Sequence, residues 1–213
     1  MIDFTQKFLI LTAHPDDLEM SCAGTVKKIH AKGGSVTNLI MVRPNVDVRP
    51  NRSKDKVLDE LKNSSKILGQ KVDIHDTQIF ENGRPNLQLT NNLITKLENK
   101  FKNFDVIISH WHEDYHQDHK TCFNIAQILA RKNFKQFLCF DQPTYNRFYS
   151  NFNKNMYVDI TDYVDDKRQA LMCYDTYFTD ADIDAILAYN KYNGSFLGPN
   201  KFAETFNMRY SKI

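Results

Sequence analysis

Two short stretches of this chain concentrate imidazoles and carboxylates. Ala13-His14-Pro15-Asp16-Asp17-Leu18-Glu19 lies near the start, and His116-Gln117-Asp118-His119 lies far downstream. Imidazole nitrogen and carboxylate oxygen suit divalent ions of borderline hardness, and three such ligands leave a coordination position open, as catalytic zinc sites require. A tight turn through Pro15 can aim His14 and Asp17 at one point while Asp16 faces the adjacent space. The expected ligands are therefore His14, Asp17 and His119, with water in the fourth position, acidified toward a pKa of about 7 while an acyl oxygen is polarised. The ion would be Zn²⁺, with Fe²⁺ or another divalent transition metal as the alternative, because ligand type narrows the metal without fixing it.

The remaining polar residues have acid–base roles open to them. Asp16 is the spare carboxylate and the expected general base. His116 is the expected oxyanion donor. Asp118 would hydrogen-bond that imidazole, fix its tautomer and favour its charged form. Glu19 is expected to cap the new helix or anchor the turn through backbone N–H groups. Asp114 reads equally as a support for the cluster or as a loop carboxylate. His110 and His112 read equally as site or surface residues. Each motif alone has a plainer reading: His14 as a loop residue, Asp16-Asp17 as carboxylates answering a helix dipole. Their co-occurrence after two buried strands favours the metal reading.

Those strands are legible. Lys7–Thr12 and Asp105–Ser109 are short apolar runs, and each leads straight into one polar stretch. Further strands are read at Ser35–Val42, Val72–Asp76, Gln136–Phe140 and Tyr157–Ile160. Helical patterns lie between them, at Gly24–Lys32, about Lys54–Leu68, around Leu87–Leu97, and at Phe123–Leu129, Lys167–Tyr174 and Asp182–Tyr189. A loop runs through Pro44 and Pro50, and Asn82-Gly83-Arg84-Pro85 reads as a turn. Strands alternating with helices imply an α/β, Rossmann-like fold with a mainly parallel sheet flanked by helices, as one domain over residues 1–213. Open sheets of this kind bind ligands at their carboxyl edge, where the first strand lies beside the one opening the second half.

Lys+Arg 28 against Asp+Glu 26 leaves a net charge of +2, too balanced to suggest nucleic acid or an anionic membrane as partner. The basic stretch Arg43 to Lys56, broken by Asp47 and Asp55, reads as a solvated loop. Cys22, Cys122, Cys139 and Cys173 are widely spaced, which fits buried free thiols in a reducing compartment. With no membrane span and no signal peptide in the pattern, a cytoplasmic location is expected. Oligomeric state is not legible.

The two motifs, Ala13-His14-Pro15-Asp16-Asp17-x-Glu19 and His116-x-Asp118-His119, resemble the signature of the PIG-L/LmbE-type metal-dependent N-deacetylases. Weaker matches run through Ser65-Lys66-Ile67-Leu68-Gly69, through Val158-Asp159-Ile160-Thr161 followed by Lys167, Ala170 and Leu171, and through Phe202-Ala203-Glu204-Thr205-Phe206, so the resemblance covers nearly the full chain. It implies the same ligands, His14, Asp17 and His119, and Asp16 as base. It also implies a small-molecule substrate, an N-acetylated amino sugar of the N-acetylglucosamine type or its conjugate. Arg49 and Arg52 lie in the loop where family members often place a sugar- or anion-gripping Arg, and Arg52 is the expected substrate-binding residue. Two departures bear on the pocket. Val57 stands where an Arg would precede Glu60, and Tyr174 and Thr176-Tyr177 replace the usual His and Ser-Gln. Asp141-Gln142-Pro143 ends a strand on the same edge and reads equally as a sugar contact or an ordinary strand-ending turn. The competing readings are an amidase for a non-sugar amide and a non-catalytic sugar- or nucleotide-binding α/β domain. The last lacks a Gly-x-Gly-x-x-Gly loop after the first strand.

Overall fold

The chain begins with an almost continuous apolar run, Lys7–Thr12 (β1), which is buried on both faces. Phe8 and Ile10 pack with Leu18, Ala23, Val26 and Ile29, whereas Leu9 and Leu11 pack on the opposite side with Leu93, Leu97 and Leu129. A strand whose two faces both meet apolar neighbours belongs inside a parallel sheet covered by helices. In a computed structural model describing residues 2–44, 52–76, 80–81, 84–142 and 151–212, β1 holds that place. Arg49, Pro50, Asp47, Asn82-Gly83 and Pro143, named above, lie outside the described residues.

The elements run β1, α1 (Asp17–Ala31), β2 (Ser35–Ile40), α2 (Lys54–Leu68), β3 (Lys71–Ile74), β4 (Phe80–Glu81), β5 (Arg84–Pro85), α3 (Asn91–Lys100), β6 (Val106–Ser109), α4 (Gln117–Asn133), β7 (Gln136–Phe140), β8 (Met156–Asp159), a 3₁₀ turn at Thr161–Tyr163, α5 (Val164–Met172), α6 (Asp180–Gly194) and β9 (Ala203–Ser211). The main sheet has seven strands in the order β3-β2-β1-β6-β7-β9-β8, and β4 and β5 form a separate hairpin pair. Pairings from β3 to β7 are parallel, and β9 runs antiparallel to both β7 and β8. This is the α/β fold expected, with β1 beside β6 at the point where strand order reverses.

Helix ends follow local chemistry. Ser53 and Thr90 accept the Lys56 and Leu93 amides at the starts of α2 and α3, Thr179 and Asp182 form a reciprocal capping box on α6, and Gly69 closes α2 at φ 72. Two differences from the sequence reading matter. The final strand β9 was not anticipated. Its Ala203–Ser211 alternation includes the buried polar residues Glu204, Thr205 and Asn207, and the antiparallel neighbours give it no helix-strand rhythm. The first helix starts at Asp17 rather than Gly24, because the backbone leaves helical geometry at Cys22 (φ −145, ψ 23) and then resumes. Cys22, Cys122 and Cys139 are buried free thiols, and Cys173 is half-buried. Among the described residues, no helix is long and apolar enough to cross a membrane.

Candidate metal centre and active site

The turn after β1 is held by its own side chains. The Ala13 amide donates to His110 Nε2 at 3.0 Å, and the His14 amide donates to Asp17 Oδ2 at 2.7 Å. Between them Asp16 takes φ 92, a left-handed conformation that costs a non-glycine residue about 1–3 kcal/mol and that Asp tolerates better than most. That reversal lets α1 begin at once, with Asp17 in its first turn. β6 ends beside β1, and its continuation brings His110 and then the start of α4 to the same edge.

Asp17 is the hub. Its Oδ1 lies 3.4 Å from His119 Nε2 and accepts from Gln142 Nε2 at 2.7 Å; its Oδ2 lies 3.7 Å from His14 Nδ1. The rings of His14 and His119 stand 5.4 Å apart by their centroids. Ligand atoms about 2.0–2.1 Å from an ion at tetrahedral angles would stand about 3.4 Å apart, so His14, Asp17 and His119 need small adjustments to hold one. His14, His116 and His119 also offer nitrogens lying within 4.8 Å of one another, as do the ligand atoms of Asp17, His110 and His119. His110 Nε2 already accepts the Ala13 amide, which removes its lone pair from the ion.

The charges fit a cation. Burial opposes ionisation of Asp17, yet the charge of His119 holds it well below the usual carboxylate range. Burial likewise opposes a charge on His119, but Asp17 and Asp114 push it up to about 10. A proton thus sits on His119 between two carboxylates, where a divalent ion would compete for the same field. Burial and the charge of His119 drop His110 to about 4, which makes it a neutral ring stacked on His119 at 4.0 Å. Burial and the neighbouring Asp17 raise Asp16 well above its ordinary value, against the pull of Arg52, whose guanidinium lies 3.3 Å from Asp16 Oδ2.

Several of these side chains meet partners other than the ones their spacing suggests. Asp118 does not hold His116 charged: its Oδ2 lies 3.1 Å from His14 Nε2 and 3.7 Å from His116 Nδ1. His116 instead caps α4, its Nδ1 accepting the Asp118 amide at 3.2 Å. Burial, followed by His14 and His119, lowers its pKa, and an ion on those two rings would push in the same direction. His116 is therefore a neutral imidazole with its Nε2–H free of that contact. Glu19 bonds its own backbone amide in the first turn of α1 and also reaches beyond it. It is wholly buried, accepts Ser64 Oγ at 2.6 Å and Gln70 Nε2 at 3.4 Å, and ties α1 to α2. Asp141 turns from the cluster toward Tyr189, Thr205 and Lys154, leaving Gln142 to face Asp17.

Asp114, read equally two ways from sequence, is buried with Oδ2 3.0 Å from His119 Nδ1 and Oδ1 accepting the His116 amide at 2.8 Å. It orients one imidazole and fixes the loop carrying the other. His110 is buried, whereas His112 stays partly exposed against Trp111 and Phe123. The bond from Gln142 to Asp17 has no sign in the sequence, since it depends on strand order. Arg52 comes to the site, bonded to Asp16 and lying over the Tyr177 ring at 4.6 Å. Where the sequence departs from the resembling pattern, the Thr176 amide and hydroxyl bond Glu60, and Tyr174 is buried beside Glu19.

Residues 9–130 match the family model described as PIG-L: GlcNAc-PI de-N-acetylase. The protein named uncharacterized deacetylase YaiS, from Escherichia coli (strain K12), is 32% identical over 146 residues, which cover 64% of this chain and 74% of that protein. Among solved structures, the 4-carboxy-2-hydroxymuconate hydratase GalB from Pseudomonas putida KT2440 superposes with a TM-score of 0.79 at 15% identity over 98% of both chains. The N,N'-diacetylchitobiose deacetylase from Pyrococcus horikoshii gives 0.73 at 18% identity over 95% of this chain and 83% of that one. At these identities the structural likeness is one of fold, and it spans different chemistries. The family model takes in both polar stretches and more than half of the residues: the chain belongs to the PIG-L family.

Proposed function

We propose that the chain is a divalent-metal-dependent hydrolase that removes an N-acetyl group from an amino sugar or its conjugate. The observation that supports this reading is the buried Asp17 carboxylate lying between two imidazoles, Oδ2 3.7 Å from His14 Nδ1 and Oδ1 3.4 Å from His119 Nε2, with the His116 ring 4.7 Å from both of theirs. The family description, the naming of YaiS as a deacetylase and the fold shared with a chitobiose deacetylase support the same class. The ion fitting this donor set is Zn²⁺, with Fe²⁺ as the alternative.

His14, Asp17 and His119 would hold the ion, with Asp118 and Asp114 accepting from the outer nitrogens of the two imidazoles. A divalent ion bound there polarises the amide carbonyl and acidifies the water beside it. Asp16, ionised, takes a proton from the attacking water. Burial and Asp17 raise its affinity for that proton, which suits it to pass the proton to the departing nitrogen as the C–N bond breaks. His116, neutral and anchored through Nδ1, presents Nε2–H to the oxygen that gains charge as water adds to the carbonyl. The products are acetate and a free amine. Arg52, held against Tyr177 at the rim, is the group placed to meet a sugar hydroxyl or an anionic substituent.

Acetate release tests this, with N-acetylglucosamine, diacetylchitobiose and an N-acetylglucosaminyl conjugate set against an N-acetyl amino acid. Release from a sugar substrate is the expected result. Release from the amino acid alone would make the protein a non-sugar amidase. No release from any of them by chain that holds its ion would overturn the hydrolytic reading.

A further inference from the structure

The break in α1 has its own buried machinery. Helical geometry stops at Cys22, so the turn Asp17–Ser21 is a separate segment from the helix that continues to Ala31. An interrupted helix leaves carbonyls before the break and amides after it without helical partners. Lys167 on α5 and Glu204 on β9 answer both needs. Lys167 Nζ donates to the Met20 carbonyl at 2.9 Å and to Glu204 Oε1 at 2.7 Å. Glu204 Oε1 accepts the Gly24 amide at 3.0 Å, while Oε2 accepts the Thr25 amide at 2.7 Å and the Thr25 hydroxyl at 2.6 Å. Both side chains are 0% exposed. Gly24 lies too close to Ile160 for any side chain: a Cβ there would come within 2.8 Å.

We propose that Lys167 and Glu204 are positioning residues which set the direction of the Asp17–Ser21 turn, and through it the placement of the Asp16 and Asp17 carboxylates. The segment is gripped at both ends. At its start, Asp17 is held by the His14 amide and Gln142; at its end, the Met20 carbonyl is held by Lys167. A continuous helix from Asp17 would have one direction, fixed by its packing on the sheet. The break gives the two segments separate directions: Ala23, Val26 and Ile29 after it pack against β1, and the turn before it, anchored on the same core by Leu18, carries the Asp17 carboxylate to His119. The ion pair lies at the joint, where a saturated carboxylate holds the two halves in one relative orientation. Burying an ion pair is a poor way to gain stability over an apolar pair of the same size, which favours a specifying role here.

The inference rests on the metal-centre reading above, and its test separates the two. Glu204→Gln keeps the shape, removes the charge and cannot accept all four hydrogen bonds. Leu97→Ala, on α3 and away from α1, serves as a control for lost thermal stability. Zn²⁺ affinity is measured by chelator competition, and amide hydrogen exchange is followed on the metal-free chain. The clamp predicts an affinity at least about tenfold weaker in Glu204→Gln, with faster exchange at His14, Gly24 and Thr25, and neither change in Leu97→Ala. Wild-type affinity and unchanged His14 exchange in Glu204→Gln would overturn the clamp, as would equal losses in Leu97→Ala. A wild-type chain that binds no Zn²⁺ sinks the metal-centre reading instead, while the His14 exchange result still decides the clamp. If Glu204→Gln does not fold, Thr25→Val removes one of the four bonds at constant size. A smaller loss of affinity with faster exchange at Gly24 then supports the clamp, and wild-type behaviour overturns it.

Discussion

Asp114→Asn isolates the support beneath the proposed ligand His119. In the native chain the carboxylate lies 3.0 Å from His119 Nδ1 and also accepts the His116 amide at 2.8 Å. An asparagine of the same shape has one acceptor oxygen for these two donors. If that oxygen stays on the His116 amide, its NH₂ group faces the Nδ1–H of His119; if it turns, the loop carrying His116 loses its anchor. The negative charge that holds the imidazole in its donating tautomer is gone in either case. Removing an outer partner of a metal-bound histidine costs about 10–100-fold in affinity, or about 1.4–2.7 kcal/mol. The site sits at the upper part of that range because Asp114 is buried and little water can replace it. Competition against a chelator of known Zn²⁺ affinity near neutral pH, with folding checked by circular dichroism, measures the effect. An affinity within about twofold of wild type would refute the argument that Asp114 orients His119.

His14→Ala and His119→Ala should each strip the ion from the purified chain, read by elemental analysis; full occupancy in either removes that residue from the ligand set. Asp16→Asn should keep the ion and lose about 10²–10⁴-fold in kcat, and near-normal turnover would reassign the base. Metal-free chain should lose thermal stability as pH rises from about 6.5 toward 10: the elevated His119 contributes fully below its unfolded pKa of about 6.5, and that contribution disappears as pH climbs through its folded value of about 10. Asp16, also raised, costs stability from its ordinary carboxylate range upward, whereas Asp17, depressed, matters only below that range. A melting temperature of the metal-free chain that is flat across that window would contradict the assignment of the proton to His119.

Much of this site is legible in the sequence because its parts are local. His14-Pro15-Asp16-Asp17 must turn directly after β1, and the apolar run before His110 must be another parallel strand, so the neighbourhood of β1 and β6 follows from doubly wound topology. What was missed depends on contacts between distant residues. Asp118 looked like the partner of His116 because they are two residues apart, yet its carboxylate reaches His14 and leaves its backbone amide to His116. Glu19 reads as a cap by spacing and does bond its own amide, but its contact with Ser64, 45 residues away, has no local sign. Glu204 lies in a stretch that resembles the family pattern, but nothing local gives its role, because its partners Lys167, Gly24 and Thr25 come from two helices. His110 could not be placed before the Ala13 amide was seen to meet its ring. The same holds at the level of the fold, since this architecture is shared with both a hydratase and a deacetylase and does not by itself fix the chemistry.

The central claim is that one divalent ion is shared by His14, Asp17 and His119. Anomalous diffraction at the zinc absorption edge, from crystals of the Zn²⁺-loaded chain, locates that ion directly. The account predicts a single strong peak about 2.0–2.2 Å from a nitrogen of His14, a nitrogen of His119 and an oxygen of Asp17, with Asp16 and His116 beside it but not bound. A peak ligated by His110, a peak shared by His14, His116 and His119 without Asp17, or no peak between the two polar motifs would contradict it.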